Sequence, residues 1–318
     1  MRPYSAPGWL PGGQAQTLWP LLIKPRHIPL RRERWTTPDG DFIDVDHLDG
    51  SAEAPLLVLF HGLEGSARSH YALSTAHACR QIGWRLAVPH FRGCSGELNH
   101  RPRAYHSGDT AEIDWILRRL HGGNGGRHLH VAGISLGGNA LLKWAGEQGQ
   151  KAGELVSGVA GICAPLDLAA CGHHLARGFN RLYTRHFLDT LKARSAARLQ
   201  RFPGLFDPER MHRASNLWEF DDAVTGPVHG FAGADDYWAR SSAKPWLKAI
   251  AVPALVVNPK NDPFLPAAAL PGAADISRTV RLEQPATGGH VGFVSGAFPG
   301  NLDWLPQRLL HFFISETS

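Results

Sequence analysis

The chain has 318 residues, 43% of them hydrophobic, and a formal charge of +5, which is enough apolar material for one large α/β domain over 1–318. No apolar run approaches the ~20 residues that span a bilayer, and the first residues lack the apolar core of a signal peptide, so a cytoplasmic location is expected. The arginines are spread along the chain without a zinc-finger spacing, an RNA-binding aromatic signature or a basic heptad region, which argues against nucleic acid as a partner.

Residues 1–30 read as a Pro- and Gly-rich N-terminal arm. Short strands follow at 34–37 and 42–48 around the turn tripeptide Pro38-Asp39-Gly40, an expected antiparallel edge hairpin. Leu56 to Phe60 is continuously apolar between Pro55 and Gly62, as a strand covered on both faces should be. A helix around 71–81 and a strand at 85–89 begin a β, α, β alternation. Asp109 then precedes the stripe Ile113, Ile116, Leu117, Leu120, with Glu112 three residues after the cap and Gly122 beyond the end, which predicts a helix.

A strand at 129–132 runs into Gly133-Ile134-Ser135-Leu136-Gly137, and a helix at 139–147 leaves it. Further strands are expected at 156–164, 254–257 and 280–282, and a closing helix at 302–314. Repeated βα units imply a mostly parallel central sheet with helices on both faces. Between Pro165 and Pro253 the rhythm breaks: the residues keep helical periodicity without a convincing strand, and 166–250 read as a helical lid inserted within the domain. In it Leu175, Phe179, Leu182, Tyr183, Phe187 and Leu191 form an apolar stripe. Arg177, Arg181, Arg185, Arg194, Arg198 and Arg201 are expected on the polar side, as a solvated face or as a basic rim for acidic substrates or a lipid or membrane surface.

A serine between glycines, after a strand and before a helix, forms the nucleophile elbow of a serine hydrolase. A serine hydroxyl is a weak nucleophile, so it needs a histidine base and a buried carboxylate to fix that histidine, and the expected chain order is Ser, Asp, His. The carboxylate is assigned to Asp262, directly after the 254–257 strand, over Asp235 and Asp236, which fall inside the insertion. The histidine is His290, in the glycine-rich loop Thr287-Gly288-Gly289-His290-Val291-Gly292-Phe293. The oxyanion hole is assigned to the backbone N–H groups of Leu136, at a helix N-terminus, and Leu63, in His61-Gly62-Leu63-Glu64-Gly65, where His61 is read as shaping the turn. The four cysteines, Cys79, Cys94, Cys163 and Cys171, have no metal-ligand spacing and are expected as free thiols, with Cys163 a small core residue. No metal or cofactor is called for.

At these residues the sequence resembles the α/β-hydrolase superfamily, and within it the YheT-like esterases, or AB hydrolase family 4. The resemblance rests on His61 to Ser66 with Ser69-His70-Tyr71, Phe91-Arg92-Gly93-Cys94-Ser95-Gly96, Tyr105-His106-Ser107-Gly108 and Gly133 to Asn139. Tyr237 with Ser241 and Ser242, Asp262-Pro263-Phe264, and Gly288 to Phe293 add to it. It implies the α/β-hydrolase fold with a lid, and Ser135, Asp262 and His290 as a charge-relay triad acting on carboxylic esters with short- to medium-chain or lipid-like acyl groups. An acyltransferase or thioesterase would use the same triad, and a non-catalytic binding protein could keep the fold. Two departures stand out. Asn261 occupies a place where relatives often carry a second Asp, and Gly12-Gly13-Gln14-Ala15-Gln16-Thr17 lacks the histidine common in that motif; both bear on substrate contacts and leave the triad untouched.

Overall fold

A computed structural model describes residues 3–23 and 27–317. Eight strands form one sheet: β1 (Arg31–Thr36), β2 (Phe42–Leu48), β3 (Leu56–Phe60), β4 (Arg85–Pro89), β5 (Leu129–Ile134), β6 (Val156–Ile162), β7 (Ala254–Val257) and β8 (Val280–Glu283). Their spatial order is β1-β2-β4-β3-β5-β6-β7-β8. The pairs β1–β2 and β2–β4 are antiparallel and every other neighbouring pair is parallel.

The central strands are apolar along their length because both faces of the sheet are covered. Along β3, Leu56, Val58 and Phe60 enter one core while Leu57 and Leu59 enter the other, and along β7 Ala254 and Val256 part from Leu255 and Val257 in the same way. Alternate side chains point to opposite faces, so a continuous apolar run feeds two layers. Strand β1 begins three residues before the expected start and is mostly exposed. It carries charge instead of an apolar pattern: Arg31, Arg32 and Arg34 pair with Asp49, Asp46 and Asp44 around β2. Such pairs protect an edge without burying it.

Four helices match the expected alternation: α2 (His70–Gln81), α3 (Thr110–Gly123), α4 (Leu136–Gln148) and α11 (Trp304–Ser315). Asp109 caps α3 through its side chain, which accepts from Glu112 N at 3.4 Å. Helix α4 starts at Leu136, three residues earlier than the sequence suggests, because Gly137 and Gly138 serve close approach and do not interrupt the helix.

The N-terminal residues contain a helix that the sequence did not indicate, α1 (Gly13–Leu18), and they join the core: Tyr4 and Leu10 are buried, and Tyr4 Oη donates to Val294 O at 2.7 Å. Residues 1–2 and 24–26 of the expected arm lie outside the described residues. Between β6 and β7 run six helices, α5 (Leu168–Leu175), α6 (Arg181–Arg201), α7 (Pro208–Arg213), α8 (Leu217–Phe220), α9 (Gly226–His229) and α10 (Ala234–Ser241). The expected stripe from Leu175 to Leu191 is not one helix. The chain breaks between α5 and α6, and Phe179 and Leu182 face outward, 52% and 59% exposed.

Candidate active site

Ser135 sits between the last residue of β5 and the first of α4 with φ 52° and ψ −118°, a conformation that side-chain-bearing residues rarely adopt. The flanking glycines permit it. A Cβ on Gly133 would lie 2.4 Å from Gly137 O, one on Gly137 2.5 Å from His61 O, and one on Gly138 2.8 Å from Gly133 O. The glycine pattern is therefore set by how closely the elbow passes the 60–62 turn and its own strand.

His290 Nε2 lies 3.0 Å from Ser135 Oγ, and His290 Nδ1 lies 2.8 Å from Asp262 Oδ2. The Asp262 carboxylate is fully buried and its other oxygen accepts from Phe264 N at 2.8 Å. The Phe264 ring stacks on the imidazole, 4.0 Å between centroids at 20°. With Nδ1 facing a carboxylate, the imidazole carries its proton there and presents Nε2 as an acceptor to the serine.

The loop bearing His290 is held by α1. Gly288 N donates to Gln16 Oε1 at 2.8 Å, His290 N to Thr17 Oγ1 at 2.8 Å, and Gly289 N to Asn261 Oδ1 at 3.1 Å. Gly292 abuts Gln16 so closely that a Cβ there would lie 2.1 Å from Gln16 O. These supports, and the stacking of Phe264, were invisible to sequence reasoning because they join segments up to 273 positions apart.

Cys163 is buried among the sheet residues, as expected, but it also accepts from Val291 N through its Sγ at 3.2 Å. Cys163, Asp262 and His290 bring one potential ligand atom each within 4.8 Å of one another. Asp262 Oδ2 is engaged with His290 Nδ1 and Cys163 Sγ with the loop, and burial pushes the thiol well above its ordinary pKa. All four cysteines are free thiols.

In the 61–65 turn, Glu64 has φ 57° and its N–H donates to Tyr105 Oη at 3.0 Å, while Gly62 N donates to Tyr71 Oη at 3.0 Å. Among the described residues neither Leu63 N nor Leu136 N meets an acceptor, and both residues border the same cavity as Ser135. Leu136 N belongs to the first turn of α4, where amides have no partner within the helix. His61 shapes the turn: its Nε2 accepts from Phe91 N at 3.1 Å and its Nδ1 lies 2.8 Å from Gly62 O. Burial holds its pKa down to about 3, so the ring is neutral.

The cavity, about 140 Å³, lies between the elbow and the helices that follow β6. Leu168, Leu175, Phe187, Leu191, Leu217 and Val224 give it an apolar wall. Two arginines expected on the polar side turn inward instead. Arg194 Nη1 pairs with Glu64 Oε1 at 3.1 Å and touches Cys94 Sγ at 3.0 Å, and Arg198 is buried. Arg201 is tied to the 98–99 carbonyls, whereas Arg177, Arg181 and Arg185 are exposed as expected. The inward turn follows from the break before α6, which rotates its faces relative to the stripe read across it. Asp235 accepts from Trp218 Nε1 at 2.8 Å and does not border the cavity that Ser135 and His290 share.

Other singled-out residues hold the insertion against the elbow. Asn139, fully buried on α4, donates to Ser107 O at 2.9 Å and Ser241 O at 2.8 Å and accepts from Ala243 N at 2.9 Å. Tyr237 Oη accepts from Ser107 N at 2.9 Å, Ser242 Oγ accepts from Leu168 N at 3.0 Å, and Gly108 leaves no room for a Cβ beside Ser241.

The family described as alpha/beta hydrolase fold matches residues 55–297. The chain is 39% identical over 301 residues to "Putative esterase YheT" of Escherichia coli (strain K12), covering 92% of this chain and 88% of that protein. It is 28% identical over 315 residues to "Phospholipase ABHD3" of Homo sapiens, covering 96% and 76%. Among solved structures it is similar to Est1E from Butyrivibrio proteoclasticus bound to ferulic acid, with a TM-score of 0.54 at 14% identity, over 89% of this chain and 98% of that one. The chain belongs to the alpha/beta hydrolase fold family, among its YheT-like members.

Proposed function

We propose that the chain hydrolyses carboxylic esters through an acyl-enzyme on Ser135. The observation that carries this reading is the hydrogen-bonded series from Asp262 through His290 to Ser135 Oγ, at 2.8 Å and 3.0 Å. As Oγ attacks the acyl carbonyl, His290 Nε2 takes its proton and Asp262 stabilises the imidazolium. The carbonyl oxygen, now an oxyanion, is received by the N–H groups of Leu63 and Leu136, each worth roughly 10²- to 10³-fold in rate. Collapse expels the alcohol, protonated by His290. Water, deprotonated by the same nitrogen, attacks the acyl-enzyme, and a second collapse returns Ser135 and the free acid.

Residues 166–250 act as a lid in this reading, and their apolar wall takes the acyl chain. The names of the relatives, an esterase and a phospholipase, support the same class of reaction. A fluorophosphonate probe tests it: the wild type is expected to label and Ser135→Ala is not. Failure of the wild type to label, or equal labelling of the variant, overturns it.

The exposed Phe179 and Leu182, flanked by Arg177, Arg181 and Arg185, support peripheral contact of the lid with an anionic lipid surface. Liposome flotation is expected to depend on anionic lipid and to weaken in Arg181→Glu; indifference to lipid charge overturns this contact.

A further inference from the structure

Arg198, on α6, borders the same cavity as Ser135, Leu136 and His290, and is only 8% exposed. Among the described residues its guanidinium has no hydrogen-bond or ion-pair partner. The other cations at this cavity are matched. Arg92 is bound by Asp39, Asp41 and Glu112, and Arg194 by Glu64. Asp221, which also borders the cavity, spends its oxygens on Thr225 Oγ1 and Trp238 Nε1. Among the guanidiniums at this wall, Arg198 is thus the one without a hydrogen-bond or ion-pair partner among the described residues, although the Glu64 carboxylate acts on it electrostatically.

A guanidinium stays charged even when burial opposes it, and burying it without a partner is costly. Burial does hold Arg198 below its ordinary pKa. Two further polar atoms at the cavity lack a partner: Glu64 Oε2, an acceptor, and His229 Nε2, on a ring that burial keeps neutral with a pKa of about 3. Arg198 lies by the part of the wall built by Glu64 and Tyr105, with a guanidinium nitrogen 3.8 Å from where a Gly93 Cβ would stand. That part of the wall adjoins the Leu63 turn and is distinct from the apolar part contributed by α5 and α8.

We propose that Arg198 recognises an oxyanion carried by the substrate, so that the cavity takes an ester whose non-reacting end bears a carboxylate or a phosphodiester. A planar fork of donors fits either group, and burial of the guanidinium strengthens the pairing. The proposal rests on the ester-hydrolase reading and deepens it. It gives a buried, unpaired cation a partner that arrives with the substrate.

The test compares p-nitrophenyl butyrate, mono-p-nitrophenyl glutarate and dihexanoyl phosphatidylcholine in wild type, Arg198→Met and Arg198→Lys. At least one of the two oxyanion-bearing substrates, the anionic glutarate or the zwitterionic phosphatidylcholine, is expected to exceed butyrate in kcat/KM. Arg198→Met is expected to lower the ratio of that substrate to butyrate roughly 10- to 100-fold, mainly through KM, as loss of a charge-assisted bond implies, and Arg198→Lys to keep part of it. A loss confined to glutarate assigns a carboxylate, and one confined to phosphatidylcholine assigns a phosphodiester. Where Arg198→Met fails to fold, inhibition of wild-type butyrate hydrolysis by hexanoate against hexanamide carries the test. Stronger inhibition by the acid supports the proposal, and equal inhibition overturns it. An unchanged ratio on both oxyanion-bearing substrates, with Ser135 still labelled by fluorophosphonate, overturns this proposal alone. Absence of labelling and of butyrate hydrolysis in the wild type overturns the reaction and the proposal together.

Discussion

Gln16 and Asn261 stand 245 positions apart in the chain and meet through a 2.9 Å hydrogen bond from Asn261 Nδ2 to Gln16 Oε1. Each also holds one amide of the His290 loop, Gln16 that of Gly288 and Asn261 that of Gly289. The departure from the family pattern at Asn261 thus has a local role. An Asp there would offer no donor and would set two acceptors against each other.

Asn261→Asp is therefore expected to lower kcat about tenfold with a smaller change in KM, because the loop that aims His290 loses a support. The energetic coupling with Gln16→Ala should be at least about 0.5 kcal/mol in a double-mutant cycle. Strict additivity of the two losses in kcat would show that the bond does not act through the loop.

If Ser135, His290 and Asp262 act as a unit, Ser135→Ala and His290→Ala should each cost at least roughly 10⁴-fold in kcat on a p-nitrophenyl ester, and the double variant little more. Multiplying losses would contradict a single relay.

The acid is tested separately. Asp262→Asn leaves the imidazole without its carboxylate and favours the wrong tautomer, a change worth roughly 10⁴-fold in kcat where such a unit operates. Asp235 is exposed, binds the Trp218 indole N–H and does not border the cavity of Ser135, so Asp235→Asn should stay within about threefold of wild type, the surface-substitution range. Greater damage at Asp235 would reverse the assignment.

The strands and the elbow were readable because local pattern determines them: apolar runs bounded by turn residues make covered strands, and a small-residue frame around a serine follows from close backbone approach. The order of Ser135, Asp262 and His290 was expected from the α/β-hydrolase arrangement, and the three side chains lie in hydrogen-bonded series. What props these groups was not readable. Gln16 and Thr17 reach His290 only through tertiary contact, and the inward turn of Arg194 and Arg198 depends on a helix break that periodicity read straight across. Tyr105 to Gly108, Tyr237 and Ser241 could be singled out by resemblance, yet only the fold shows that they clamp the helical insertion to α4.

Asn139 is the centre of that clamp, with three hydrogen bonds to backbone groups of two segments and no exposure. Asn139→Leu keeps the volume and strands two carbonyls and an amide in a buried place, at about 1–3 kcal/mol for each group left unmade. A loss of at least about 2 kcal/mol in chemical denaturation is expected, with earlier proteolysis in 166–250. An unchanged midpoint would show that the clamp is dispensable.

Four histidines, His61 buried and His106, His130 and His229 partly buried, make the fold sensitive to acid. Burial lowers His61 and His229 from 6.5 to about 3, and His106 and His130 to about 4. Below pH 6.5 the unfolded chain binds protons on these rings that the folded chain refuses, so the stability they contribute is complete above that pH and is lost as pH falls toward 3–4. For His61 the refusal has a geometric cause, since a second N–H would point at the Phe91 amide already donating to Nε2. His130 supplies the control. It stacks on Trp84 at 4.8 Å and its Nδ1 has no partner, so His130→Phe keeps the packing and removes one refused proton. The wild-type unfolding free energy is expected to decline from pH 6.5 to 4.5, and that of His130→Phe to decline less steeply, by at most about 1.4 kcal/mol per pH unit. Parallel curves for the two proteins would show that His130 does not titrate differently on folding.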